Sequence, residues 1–466
     1  MSESNVNRIP SISQLMELRP LKDLAHKVSS STVAAGVKAY LQPYQKLAME
    51  AAPTLPYGSL QSLASEISDW ILGEQGLSRP EGINATGQVL GADFPVGPIA
   101  EEILVQAHAR RHDYRQATAQ ENYHQAIEQL LCEMTGAEAA LIVSDRQAAV
   151  YLLAQAMSSK KTLVPRSQMS STFDRIAVPK LLEEAGIQEV GSSNQIDLAA
   201  LADEIEGSAE HLLWFDKTNF DVSGANVFPP TFEAIKTLKA SGVSLWVALG
   251  VAGLLPDAIH DELGLCSAKQ AIEAGADAVL MGGGFLLGGP GCAIVLGKAQ
   301  CVSQLSELPI ARYLQATPAS LAELEVTLRI HQSGERVDDR IPTLSLLSTS
   351  EENLDLRATR LAEQFSVSPW IAEAVTSPAE AYVLPGGIKL PSRHVTLRPT
   401  PEGAETLQAH LAGFPTVACW SQNEDEVVLD LRTLFPRNDA QLVSKLVPEN
   451  NTNEGGGSGN IEKSES

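Results

Sequence analysis

Long apolar runs are missing from this 466-residue chain. No stretch reaches the roughly 18 consecutive apolar residues that mark a membrane span, so a membrane-spanning protein is not expected. The opening "MSESNVNRIPSISQLMELRP" has neither the charged start, the apolar middle nor the small-residue cleavage site of a secretory signal. A cytoplasmic location is the expectation. Cysteine is also scarce: Cys132, Cys266, Cys292, Cys301 and Cys419 are an odd, scattered set without CxxC spacing, which speaks against a disulfide framework or a zinc site. Each reads as a small buried apolar residue. Positive charge is short as well, with 34 Lys and Arg against 57 Asp and Glu and a formal net charge of −23. Such a surface repels phosphate backbones unless basic residues are gathered on one face. No such block is present, although acids and bases are nearly balanced over the first 80 residues.

What the chain does have is ordinary globular composition, 44% hydrophobic and 20% charged, at a length that suggests two or three domains. From residue 10 to about 75 the apolar residues fall at helical spacing, with Leu60, Leu63, Ile67, Ile71 and Leu72 on one stripe. Ser11, with Gln14 placed as in a capping box, and Ser59 read as N-caps. A small helical domain over 1–80 is expected.

From 81 to about 335 short apolar runs alternate with amphipathic helical stretches. The runs are "AALIV" (139–143), "TLVP" (162–165), "IQEVG" (187–191), "HLLWF" (211–215), "SLWVAL" (244–249), "DAVLM" (277–281) and "CAIVLG" (292–297). Uninterrupted apolar strands separated by helices mean a sheet buried on both faces, a doubly wound α/β domain with ligands expected at the carboxyl ends of its strands. An α+β domain over 336–446 and a polar, disordered tail over 447–466 complete the division.

The stretch "GGGFLLGGP" (282–290) clusters glycines as a binding loop does, yet has Phe285 in its middle. It lacks the lysine and hydroxyl of a phosphate-binding GxxxxGKS loop. The cluster "HARRHDYR" (108–115) sets Arg110, Arg111 and Arg115 among His108 and His112 and reads as an exposed helix or a subunit contact rather than an RNA site. His124, His211, His260, His331, His394 and His410 show no pairing with acid or cysteine that suggests a metal or triad and read as structural.

In order and spacing, "RIPSISQLM", "INATGQVL" (83–90), "QLLCEMTGAEAALIV" (129–143), "EVGSSN" (189–194), "FLLGGPGCAIVLGK" (285–298), "LAELEVTLR" (321–329) and "VVLDLRTL" (427–434) together resemble the bacterial selenocysteine synthases, the L-seryl-tRNA(Sec) selenium transferases. The resemblance implies a fold-type I pyridoxal-phosphate (PLP) transferase with a mostly parallel seven-stranded sheet, a tRNA-binding N-terminal helical domain, and assembly as a dimer or a ring of dimers. It also implies site residues, and here the chain departs from the pattern. Phe285 stands where the family has its Schiff-base lysine, and a phenyl ring has no nucleophilic nitrogen. Ala248 stands for the aspartate that pairs with the pyridine nitrogen, and Asp216 for the histidine over the cofactor ring. The phosphate-cradling segment reads Ser144, Asp145, Arg146, Gln147. Arginines of the pattern are Val96, Gln195 and Gln315, and an aspartate-lysine pair is Thr317 and Pro318. Asn219, Gly283, Gly284, Gly288, Gly289 and Arg312 make up the rest of the remnant cleft.

The expectation is a catalytically inactive homologue without PLP, or any metal, whose role is binding, regulation or assembly with an unknown protein partner. The alternatives are a working selenium transferase acting on seryl-tRNA, or an activity with a relocated lysine, for which Lys217 at the end of "HLLWF" is the candidate. Binding of tRNA is expected to be weak, given the near-neutral N-terminal region.

Overall fold

The computed structural model describes residues 10–47, 59–74, 82–110, 117–158, 160–191, 196–221, 228–412, 416–423 and 426–447. Among them no helix is long and apolar enough to cross a membrane. The polar tail beyond Val447 lies outside the described residues.

The N-terminal helices Ile12–Met16, Arg19–Lys27, Ser30–Leu47 and Leu60–Glu74 enclose their own core of Leu15, Leu21, Leu24, Val37, Leu63, Ile67 and Ile71. Ser11 and Gln14 do form a capping box. A Cβ on Gly36 would sit 2.5 Å from Ile71 Cγ1, so this glycine lets two helices approach closely. Leu60, expected on the apolar stripe, is instead 39% exposed. It is the first residue of its helix, one turn short of where the packed stripe begins.

The chain then forms β1 (Gly82–Asn84), β2 (Ala139–Val143), β3 (Thr162–Pro165), β4 (Gln188–Val190), β5 (His211–Phe215), β6 (Ser244–Ala248), β7 (Ala278–Gly282) and β8 (Ala293–Gly297). All but β1 join one seven-stranded sheet in the order β2-β8-β7-β6-β5-β3-β4. Only β8 runs antiparallel to its neighbours. Alternate strand residues face two cores: Leu212, Trp214, Leu245, Val247, Val279 and Met281 on one side, and Leu213, Phe215, Trp246, Ala248 and Leu280 on the other. Burial of both faces is why these strands read as unbroken apolar runs.

The helix Arg146–Met157 spans the segment its periodicity predicts and starts on the Asp145 N-cap. The pattern of "DRIAVPKLLEEAG" (174–186) predicts a helix over the whole stretch, and the helix formed is shorter, Val178–Glu184. Pro179 suits only the first turn, and Arg175 before it takes a left-handed conformation (φ 64°).

The C-terminal part adds β9 (Ile371–Leu384), β10 (Ile388–Pro399), β11 (Thr416–Ala418), β12 (Trp420–Asn423) and β13 (Glu426–Asp430). An antiparallel sheet, β12-β13-β10-β9, is covered by the helix Glu351–Phe365. Side chains on both sides of residue 335 share the main core, since Val337, Ile341, Leu344 and Leu347 pack there. Conversely β1 pairs in parallel with β11, and Ile83 and Ala85 belong to the C-terminal core. Gly87, at φ 81°, brings the chain against Asp430, whose Oδ2 would lie 2.6 Å from any Cβ there.

His211 opens β5 at 5% exposure, and among the described residues neither ring nitrogen has a hydrogen-bond partner. Burial, helped by the nearby Lys160 charge, pushes its pKa below the usual 6.5 against the smaller opposing pull of Glu210 and Asp277. The folded protein therefore holds this imidazole neutral while the unfolded chain takes up a proton as pH falls below 6.5, so acid favours unfolding. Melting temperatures measured at about pH 7.5 and 5.5 are expected to fall more for the parent than for His211→Leu.

Candidate functional site

The carboxyl ends of β2, β5, β6 and β7 bring together most of the residues singled out in sequence. Arg146, 6% exposed at the start of its helix, donates from Nη1 to Asp174 Oδ2 (3.0 Å) and from Nη2 to Asn219 Oδ1 (2.6 Å). Burial pushes its pKa down and Asp174 opposes this; a guanidinium stays charged in either case. Asn219 Nδ2 in turn donates to the backbone oxygens of Asp216 (2.8 Å) and Ala248 (2.9 Å). Arg146 also lies over the Phe285 ring, 5.2 Å from its centroid, and Phe173 packs on the same ring at 5.2 Å.

Phe285 is 5% exposed. Its ring folds back over Gly282, where a Cβ would lie 2.5 Å from Cδ2 and 2.6 Å from Cε2. The other glycines of the loop serve close backbone approach. A Cβ on Gly283 would meet Cys292 Sγ at 2.6 Å, and one on Gly288 would collide with Ile341 Cγ2, while Gly289 donates to the Gly283 oxygen. The Gly284 oxygen accepts from Gly97 N–H (3.1 Å), so "GADFPVGPI" lies against "GGGF", with Val96 55% exposed beside it. The glycine-rich stretch is thus filled by its own phenylalanine and by neighbouring backbone.

Asp216 is 5% exposed and fully engaged. Its Oδ1 accepts from the Thr218 N–H (2.8 Å) and hydroxyl (2.5 Å), its Oδ2 from Thr231 Oγ1 (2.6 Å). Lys217 follows it in the short turn Lys217–Asn219, half-buried, and a Cβ on Gly386 would lie 3.1 Å from its carbonyl carbon and its Cγ. Ser144 donates to Asp145 Oδ2 (2.9 Å), and the exposed Asp145 accepts the Ala148 N–H (2.8 Å). Gln147 is exposed. Arg312 is exposed on the turn Ala311–Tyr313, which runs alongside β2: the Leu314 oxygen accepts the Ser144 N–H (2.8 Å), and Gln315 bridges to Val143. Thr317 and Pro318 start the helix Pro318–Ser333, Thr317 as its N-cap. Gln195, Arg111, His112 and Arg115 lie outside the described residues, and Arg110 pairs with Glu325 at 3.1 Å.

Two features escaped the sequence reading. Phe173 and Asp174, which close on Phe285 and Arg146, sit in a turn that periodicity assigned in part to a helix. The other is the acidic partner of His394: its Nε2 faces Asp430 Oδ2 at 3.1 Å. The two residues stand opposite each other on β10 and β13, and only strand register brings them together. His124 likewise approaches Glu128 at 3.4 Å. Cys266, Cys292 and Cys301 are buried as expected, with the Cys266 and Cys292 thiols pushed up by burial to about 12, whereas Cys132 and Cys419 depart from the expectation and are only partly buried. No group of three or more metal-binding side chains occurs among the described residues.

With this arrangement in view, comparison with known proteins is direct. The L-seryl-tRNA selenium transferase family model matches residues 83–435. The chain belongs to that family. An L-seryl-tRNA(Sec) selenium transferase of Hyphomonas neptunium is 28% identical over 455 residues, covering 92% of this chain and 96% of its own length. One from Moorella thermoacetica is 29% identical over 461 residues, covering 96% and 97%. Among solved structures, D-glucosaminate-6-phosphate ammonia-lyase superimposes with a TM-score of 0.55 at 17% identity, over 81% of this chain and 96% of that one. The selenium transferase relative therefore has the fold-type I α/β architecture, with the strand-end cluster at the edge where this architecture binds ligands.

Proposed function

We propose that this selenium transferase relative does not run PLP chemistry at its strand ends and acts by binding, as a regulatory, scaffolding or assembly subunit that forms homo-oligomers in the cytoplasm. The observation that carries this reading is the Phe285 ring, buried between Phe173 and Arg146 and resting on Gly282.

The family cofactor needs an amine for its aldehyde, a carboxylate at its pyridine nitrogen and donors for its phosphate; with these the protein directs chemistry that the cofactor itself supplies. At the matching positions this chain has a phenyl ring, the methyl of Ala248, and an exposed Asp145 carboxylate already bonded to the first turn of the helix behind it. Asp216, in place of a ring-stacking histidine, has both oxygens engaged. These groups do not fit the cofactor. The relatives' names make seryl-tRNA a conceivable ligand, but a net charge of −23 favours weak, strongly salt-dependent capture.

A second reading, a transferase with a relocated Schiff base, rests on Lys217, which sits half-buried two residues after the end of β5. Incubation with pyridoxal phosphate, borohydride reduction and peptide mass mapping separate the two. No site-specific lysine adduct and no aldimine absorbance are expected. Stoichiometric trapping on Lys217, or on any other lysine at the strand ends, would overturn the proposal.

A further inference from the structure

We propose that the cleft between the β9–β10 turn and the segment 86–88 binds a small organic cation, an amine or guanidinium carried on an apolar body. The cleft has a volume of about 590 Å³, within the range of small-molecule sites. It shares no residue with the Phe285 cluster, so the assignment is independent of how that cluster is read.

Its walls are aromatic. Trp420 and Tyr382 line it and are 56% and 57% exposed. The Trp420 ring is held in place by its Nε1–H, which donates to the Thr86 oxygen. Aromatic faces attract cations through their quadrupole, and the chain already uses this wall once: Lys389 Nζ lies 4.4 Å from the Tyr382 ring centroid.

The floor is built to accept protons. Asp430, 1% exposed, takes the Ser392 hydroxyl (2.6 Å) and the Arg432 N–H (2.9 Å) on Oδ1. Its Oδ2 faces His394 Nε2 at 3.1 Å. The other ionisable lining groups are Glu380, already paired with Lys389 Nζ at 3.1 Å, and Asp221, and no lysine or arginine is among the described lining residues. Burial, together with the Asp93 charge, pushes Asp221 upward, and only the Ala92 backbone N–H opposes this. Among the described residues no lysine or arginine of the cleft lining pairs with its carboxylate. Such a lining repels phosphates and carboxylates.

Isothermal titration of the full-length protein at physiological salt, with agmatine and inorganic phosphate as probes, tests the assignment. Agmatine is expected to bind saturably at one site per chain, and phosphate not at all. Trp420→Ala and Asp221→Asn, both at exposed positions, are each expected to weaken agmatine by about tenfold with unchanged melting temperature. Glu133→Gln, on an exposed helix face away from the cleft, should leave binding as it is. Absence of saturable heat up to about 10 mM agmatine, or equal affinity in all three variants, would overturn the assignment. Equal affinity would mean diffuse attraction of cations to an acidic surface.

Discussion

Phe285→Lys lowers the unfolding free energy by about 3–5 kcal/mol, the cost of emptying a well-packed aromatic site and of placing a buried charge without a partner. The incoming ammonium takes the place of a ring that is 5% exposed and lies 5.2 Å from the Arg146 guanidinium. It thus meets a like charge where the parent has a cation–π contact. Phe285→Met, which keeps volume and polarity, is expected to cost less than about 1.5 kcal/mol. Urea unfolding of the three proteins measures both. A companion cycle isolates the contact with Gly282. In the parent, Gly282→Ala sets a Cβ 2.5 Å from Phe285 Cδ2 and is destabilising, whereas with Phe285→Ala the same methyl enters the space the ring has left. The two substitutions are therefore expected to be non-additive by at least about 1 kcal/mol. Residues 282 and 285 are then one packing unit.

Arg432→Met is the other substitution expected to cost about 3 kcal/mol or more. The side chain is 3% exposed and sits where the main core meets the C-terminal sheet. Its guanidinium donates to the Pro391 oxygen on β10 (3.0 Å from Nε) and to the oxygens of Thr349 (2.6 Å), Leu346 (3.3 Å) and Leu347 (3.4 Å) at the end of the helix Pro342–Ser348. Methionine fills the space but leaves a buried helix end with unpaired carbonyls. Denaturation of the variant, with limited proteolysis near residue 349, is expected to reveal loosening there first.

The strands of the main sheet were legible because each is buried on both faces, so residues such as "HLLWF" and "SLWVA" carry no polar interruption to blur them. The helix Arg146–Met157 was legible because Asp145 is a strong local start signal. The turn 172–177 was not: Thr172, Asp174 and Arg175 are compatible with a helix, but the Asp174 carboxylate is taken by the Thr172 hydroxyl and by Arg146, distant in sequence. The pairing of His394 with Asp430 depends on the register of β10 against β13, which apolar alternation on one face does not fix. The apolar residues of the strand-end cluster could be placed from the order of the strands. That Phe285 would fill the loop, with Phe173 packed on it, required the packing itself.

The parallel pairing of β1 with β11 joins residues 82–84 to 416–418, and the Ala85 oxygen accepts the Asp430 N–H. During synthesis the early strand must wait, unpaired, until more than 300 further residues have been made, a closure of the kind that slows folding. A fragment beginning at the helix Glu351–Phe365 would lack Ile83 and Ala85 from its core and leave β11 with an open edge. The C-terminal sheet is therefore not a cassette that evolution or an expression plasmid can move alone. It travels with the short segment 82–87, or it arrives incomplete.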